Sequence, residues 1–376
     1  MTHKENLSRE DFQATAYFAI GVASESKSKA YKLVIAANQN RDGTLRPIGN
    51  SGYSIGTIQT DLGQHPEVAK DLVNSYQKWA EEKQPSWKLS ESQEKAIIHD
   101  LGRTGKEIKR EGGRPLSSEF KSHLNQFLSS EEGITWVHAR DVKQIDKIEK
   151  NIFTPLQETS LYKNSSYDEK LHLVAVTSKL YNQSEVWGKR VLQEIKDGKF
   201  QSINSVDKRI DSFISAEGKA DYIETGRKEA VLGAILVSRL NAMSENHIFY
   251  DKWNSIRANP LTNPAKLTGE DKSNYDEIRN LFIAPENSIK KIKQEGKQVS
   301  SGFSSNDFST LVNNLINDKD GSFTKQLLAD NKDIVDAFDA KVQERIQQEQ
   351  QKEQLQIAEQ EMQKVVERSG RRLSFG

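Results

Sequence analysis

The sequence predicts a mainly α, α+β protein: a helical domain with one small β-lobe near its N-terminus and a helical C-terminal extension. Three observations predict it. Apolar residues recur at helical spacing along most of the chain. Residues 31–63 instead gather Gly, Asn and Thr around short β-prone pieces, "YKLVIA" and "YSIGTIQ". Strands nowhere alternate with helices as a parallel α/β sheet requires.

The elements follow in order. Ser8 and Asp11 form a capping box in which Asp replaces the usual Glu or Gln. Phe12, Ala16, Ala19, Ile20 and Ala23 then lie on one helical face, so the first helix delivers Glu25 at its C-terminal end. After the β-rich stretch, Pro66 starts a helix with Val68, Leu72, Tyr76 and Trp79 on one face. Ser90 and Gln93 cap the next. Further helices are marked by Phe120, Leu124 and Phe127, by Val137, Val142, Ile145 and Ile148, and by Leu171, Val174, Ala175 and Ser178. The segment from Ile223 to Met243 is apolar around most of its circumference, as a central helix should be.

Composition narrows the function. The 376 residues suffice for a substantial core and two domains. Lys+Arg and Asp+Glu both number 54, so the basic surplus of a nucleic-acid-binding surface is missing. With no cysteine, neither disulfides nor thiolate metal sites can form. The longest apolar piece, "AVLGAILV" at Ala230 to Val237, is far short of the ~18 residues of a membrane span. "MTHKENLSREDF" has no apolar run behind its charges, so an ordinary secretory leader is not expected. The seven histidines never reach HExxH spacing, and no metal or organic cofactor is expected. His138 and Asp141, one turn apart, read as a surface or helix-end pair.

The chemistry points to carboxylates. At a helix C-terminus Glu25 meets the negative end of the macrodipole, and partial burial acts the same way. Both disfavour the ionised form, as a general acid requires. In "SGYSIGTIQTDLG", Gly52 and Gly56 permit close backbone approach and Tyr53 offers a flat face to a sugar ring. Gln59 and Asp61 would alternate on one face of an extended run. Asp61 is the candidate to hold a water opposite the acid, Asp42 a weaker second, and turn initiation the plainer reading of Asp61. "GYSIG" also fits the serine-nucleophile string, but no buried parallel strand precedes it.

Taken in order, "SES" with Glu25, "SIGTIQTD" with Gly56, Gln59 and Asp61, and "LYNQSEVWGKRVL" with Tyr181 and Asn182 resemble the lysozyme superfamily. The pattern is most like that of goose-type lysozymes and soluble lytic transglycosylases. "ESKSKAYKL" and "SGYSIGTI" are similar to phage-type lysozymes, with Ser54 where that branch has Thr. The chain departs from the pattern in a longer gap between Glu25 and Gln59, in Ile58 for the usual Met, and in Ser184 for a glycine.

The resemblance implies a muramidase that cleaves the MurNAc–GlcNAc β-1,4 bond of peptidoglycan. Glu25 would be its acid and Asp61 the water-activating partner. Tyr53, Ser54, Gln59, Tyr181 and Asn182 would contact substrate. A transglycosylase, a phage lysis or tail enzyme, and a non-catalytic glycan-binding module are the alternatives. On this reading residues 1–256 are the lysozyme-like catalytic domain, 257–274 a Pro-rich linker, and 275–376 a helical segment for delivery or partner binding. Made in the cytoplasm, such a protein would reach the periplasm by a specialised secretion system or by lysis. An antibacterial effector of this kind would need an immunity protein in its producer.

Overall fold

The computed structural model describes residues 6–216 and 220–300. The expected capping box is present: the Ser8 hydroxyl accepts from the Asp11 amide, and the Asp11 carboxylate accepts from the Ser8 amide. Helix α1 (Arg9–Ala14) runs directly into a π-helix, Thr15–Ser26. A π-helical run of this length is unusual, because wide turns mostly occur singly.

The sequence predicts one apolar face here, but every residue from Thr15 to Ala23 is buried. This segment is the central helix of the body, packed along α12 (Ala220–Asn241) and α9 (Tyr167–Gln183). Its small residues follow from that position. A Cβ at Gly21 would meet Thr57 Cγ2 at 2.7 Å, so glycine lets a β-turn rest on the helix.

The β-lobe lies where expected. Strands β1 (Val34–Ile35), β4 (Tyr53–Ile55) and β5 (Thr60–Asp61) form an antiparallel sheet in the order β1-β4-β5. Strands β2 (Ala37–Gln39) and β3 (Leu45–Pro47) form a separate hairpin. Gly56 and Gln59 both have positive φ, 93° and 58°, and close the turn between β4 and β5. Gln59 is therefore a turn residue, and the expected extended run through Gln59 and Asp61 does not form. A strand follows Ser54 and its turn, not the helix that a nucleophile elbow needs.

The remaining helices are α2 (Pro66–Lys83), α3 (Glu91–Leu101), α4 (Gly105–Arg110), α5 (Ser118–Leu128), α6 (Glu131–Ile148), α7 (Thr154–Gln157) and α8 (Ser160–Asn164). After α9 come α10 (Glu185–Lys196) and α11 (Ile203–Ala216), and after α12 come α13 (Tyr250–Ala258), α14 (Gly269–Ile283) and α15 (Pro285–Ser300). Two apolar cores result. One surrounds the π-helix and joins α9, α12, α13 and α14. The other lies beneath the sheet, where Tyr53, Ile55 and Leu62 meet Leu72 and Tyr76 of α2 and Leu124 of α5. Ile58, in the β4–β5 turn, belongs to the first core, so the turn joins the two.

The linker expected at 257–274 is instead packed into the body. Arg257 pairs with buried Asp11 at 2.8 Å, the Leu261 carbonyl lies 2.9 Å from His138 Nε2, and Asn263 donates to Thr135. Tyr275 of α14 then donates to the Tyr17 hydroxyl at 2.9 Å. Among the described residues one compact unit continues past this stretch to Val299, because "PLTNP" turns are anchored by side chains distant in sequence. Residues 301–376 of the expected C-terminal helical segment lie outside the described residues.

Candidate functional site

Glu25 stands at the last turn of the π-helix. Its side chain keeps 16% of its exposure, at the place where the helical body meets the β4–β5 turn. Two side chains of α9 hold the same oxygen. Asn182 Nδ2 donates to Glu25 Oε1 at 2.8 Å, and Lys179 Nζ lies 2.6 Å from it. Oε2 makes no hydrogen bond with any described residue. The dipole reading of Glu25 is thus incomplete, since a buried ammonium faces the carboxylate.

Asn182 also reaches the β-lobe, donating to the Ile58 carbonyl at 3.1 Å. Its own carbonyl accepts from Gln144 Nε2 at 2.6 Å, and Gln144 Oε1 accepts from the Thr60 hydroxyl at 2.9 Å. This chain of hydrogen bonds runs from β5 through α6 and α9 to the π-helix. Every donor faces an acceptor along it, which fixes the orientation of both amides.

Asp141 holds the turn from beneath. Fully buried, it accepts from the amides of Thr57 at 3.0 Å and Ile58 at 3.2 Å. Gly56 is needed above it, because a Cβ there would meet Asp141 Oδ1 at 2.7 Å. Burial pushes the Asp141 carboxyl up to about 6, against the two backbone donors. Tyr17 and Thr57 continue this polar layer, the Thr57 hydroxyl lying 3.5 Å from that of Tyr17. His138 and Asp141 are therefore buried, not the surface pair the spacing suggests.

Of the other site residues expected from sequence, the structure gives most a role in the fold. Asp61 Oδ1 accepts from the amides of Gly52 (3.1 Å), Gly63 (2.9 Å) and Gln64 (3.3 Å), which holds the chain at the sheet edge. Asp42 accepts from the Thr44 amide and hydroxyl in the β2–β3 turn, and those bonds lower its carboxyl. The Gln59 side chain donates back to Gly56 O at 2.7 Å. Tyr53 is 2% exposed, its hydroxyl accepting from the Leu116 amide at 2.8 Å, so its ring packs in the second core. Tyr181 is buried against Gly188 of α10, and burial pushes its hydroxyl up to about 12. Ser54 is half-buried in the sheet, paired across it with Val34 and Asp61.

Among the described residues, Glu25 and Asn182 are the members of the expected set joined by a side-chain hydrogen bond, while Ser54 and Asp61 meet as cross-strand neighbours. Lys179 and Gln144 were not anticipated. Lys179 precedes Asn182 by one helical turn, so a contact on the same face could have been sought from the "SKLYN" stretch. Gln144 has no local signal. Two surface recesses, one beside Arg9 and Glu149 and one around Asp11, Tyr167 and Arg257, lie among other residues. Arg9 pairs with Glu149 in the first and Arg257 with Asp11 in the second, so the Glu25 cluster is the better candidate. Among the described residues no helix is long and apolar enough to cross a membrane, and no three His, Asp or Glu side chains assemble as metal ligands. Comparison of the chain with protein-family profiles, curated proteins and solved structures yields no match.

Proposed function

We propose that this protein cleaves the β-1,4 bond between N-acetylmuramic acid and N-acetylglucosamine in peptidoglycan, with Glu25 as general acid. The observation that carries the reading is the asymmetry of that carboxyl group. One oxygen accepts from Asn182 and lies against Lys179, and the other accepts no hydrogen bond from any described residue. The resting pair is a carboxylate beside an ammonium, so the acid form arises when substrate is bound: a proton taken up on Oε2 would pass to the glycosidic oxygen as the bond to the anomeric carbon breaks, leaving an oxocarbenium-like sugar. Asn182 acts here as a residue that orients the acid. The order of the Glu25, Gly56–Gln59 and Tyr181–Asn182 motifs supports the same reading.

Asp61 bears on the route of the later step. Inversion needs a free carboxylate roughly 6.5–9.5 Å from the acid to activate water. Asp61 and Asp42 are both engaged by their own turns. The bonds use Oδ1 of each, so capture of the sugar by its own hydroxyl, as in a lytic transglycosylase, stands beside hydrolysis by a muramidase, and the products separate the two.

Purified full-length protein incubated with cell-wall peptidoglycan should release muropeptides, and Glu25→Gln should abolish the release. Reducing ends identify hydrolysis and anhydro-muramic ends the intramolecular route. Binding without cleavage would leave a glycan-binding module. As an antibacterial effector delivered by a secretion machine, the protein should be toxic when expressed in the periplasm and not in the cytoplasm. A cognate immunity protein should relieve that toxicity.

A further inference from the structure

We propose that Lys179 is a positioning residue for Glu25, its ammonium holding Oε1 and stabilising the carboxylate that remains once a proton has left Oε2. The inference rests on the glycosidase reading above. Lys179 is 2% exposed, and its ammonium lies 2.6 Å from Glu25. Burying a lysine is costly unless the charge is matched, and an apolar side chain of similar length would fill the space without that cost. The side chain is also confined: a Cβ at Gly226 of α12 would lie 3.2 Å from Lys179 Cε and 3.3 Å from Nζ.

Other charged groups on the surrounding elements are engaged elsewhere. Lys27 pairs with Glu229 of α12, and Arg279 of α14 donates to the Lys27 carbonyl. Asp141 of α6 is held by the turn amides, and Glu185 of α10 pairs with Lys147. Among the described residues, Lys179 is thus the cation placed to act on Glu25.

The step balances as follows. The Oε2–H bond breaks and its proton joins the glycosidic oxygen, which takes the electron pair of the breaking bond to the anomeric carbon. Glu25 is left as a carboxylate beside the ammonium. Water or the sugar's own hydroxyl then bonds to the anomeric carbon and returns a proton to Glu25. Lys179 keeps its protons throughout and acts by charge.

The test uses the full-length protein with Lys179→Met and Lys179→Gln, two neutral replacements of which only Gln can still hydrogen-bond. Carbon-13 NMR of the Glu25 carboxyl, recorded without substrate, reads its titration directly. The midpoint should move to higher pH in both variants, and an unchanged midpoint overturns the proposal. On soluble peptidoglycan fragments kcat should fall on the order of 100-fold in both variants with KM unchanged. A loss confined to KM overturns it equally. If the wild-type protein releases no product, the glycosidase reading fails, and the NMR titration still decides whether Lys179 governs Glu25.

Discussion

Glu25→Gln perturbs more than a reaction, because it leaves Lys179 without its carboxylate. The lysine side chain is 3% exposed and its ammonium has Glu25 as its acidic partner. Breaking a buried pair by removing one member costs about 3–5 kcal/mol. A ceiling follows from titration: an ordinary lysine, with a pKa near 10.4, can be neutralised at pH 7 for about 4.6 kcal/mol. At pH 9 the same ceiling drops to about 1.9 kcal/mol. The Gln carbonyl can still accept one hydrogen bond, so a loss of about 2–4 kcal/mol is expected at pH 7. At about 2 °C per kcal/mol for a unit of this size, Tm should fall by ~4–8 °C. Urea and thermal melts of wild type, Glu25→Gln and Glu25→Gln/Lys179→Met read it. The double variant should recover most of the stability while remaining inactive. If Glu25→Gln melts within about 1 °C of wild type at pH 7, the pair does not hold a buried charge and the reasoning fails.

Three other outcomes are expected. Asp141, raised to about 6 by burial, holds its proton more tightly in the folded than in the unfolded chain. Its contribution to stability is therefore greatest below pH ~4, falls by about 3 kcal/mol as pH rises to about 6, and is level above that. Denaturant midpoints from pH 4 to 7.5 should lose this component in Asp141→Asn; an identical slope in both proteins contradicts it. Asp61→Asn keeps the acceptor oxygen used by three amides, so muropeptide release should stay within a few-fold of wild type, whereas Asp61→Ala should cost about 1–3 kcal/mol. A drop of several orders of magnitude in Asp61→Asn would restore the water-activating role. Tyr53→Phe removes the acceptor for the Leu116 amide and should cost about 1–3 kcal/mol in urea melts without changing KM; a changed KM would return Tyr53 to the substrate face.

What could be read from the sequence was local. Capping boxes at Ser8 and Ser90 and the buried stripe of Val68, Leu72 and Tyr76 depend on residues within one or two turns, and all are present. So is the β-lobe, because Gly, Asn and β-branched residues act through backbone preferences of their own. The contact of Asn182 with Glu25 follows the order of the motifs, though 157 residues separate the two. The polar side chains in the β-lobe have a structural task that the sequence did not show. Asp42, Gln59 and Asp61 satisfy nearby backbone groups, and a residue type alone does not tell a turn-holding carboxylate from a reactive one. Asp141, Gln144 and Lys179 act across 38 residues or more, where no periodicity reaches. Prolines and polar turns at 257–274 looked like a linker because the Asp11, His138 and Thr135 that anchor them are far away in sequence.

The π-helix makes the site sensitive to how many residues the chain contains. Its wide turns persist to the end, where the Lys27 amide still donates to Val22 O, five residues back. A helix with five-residue hydrogen bonds turns somewhat less per residue than the about 100° of an α-helix. Deleting a single residue between Thr15 and Val22 would therefore rotate Glu25 by about that angle, away from both Asn182 and Lys179. Substitutions along this segment are constrained by volume, whereas insertions and deletions are constrained by phase. Of the two, a change of length is the more damaging to the site, even where every remaining side chain is unaltered.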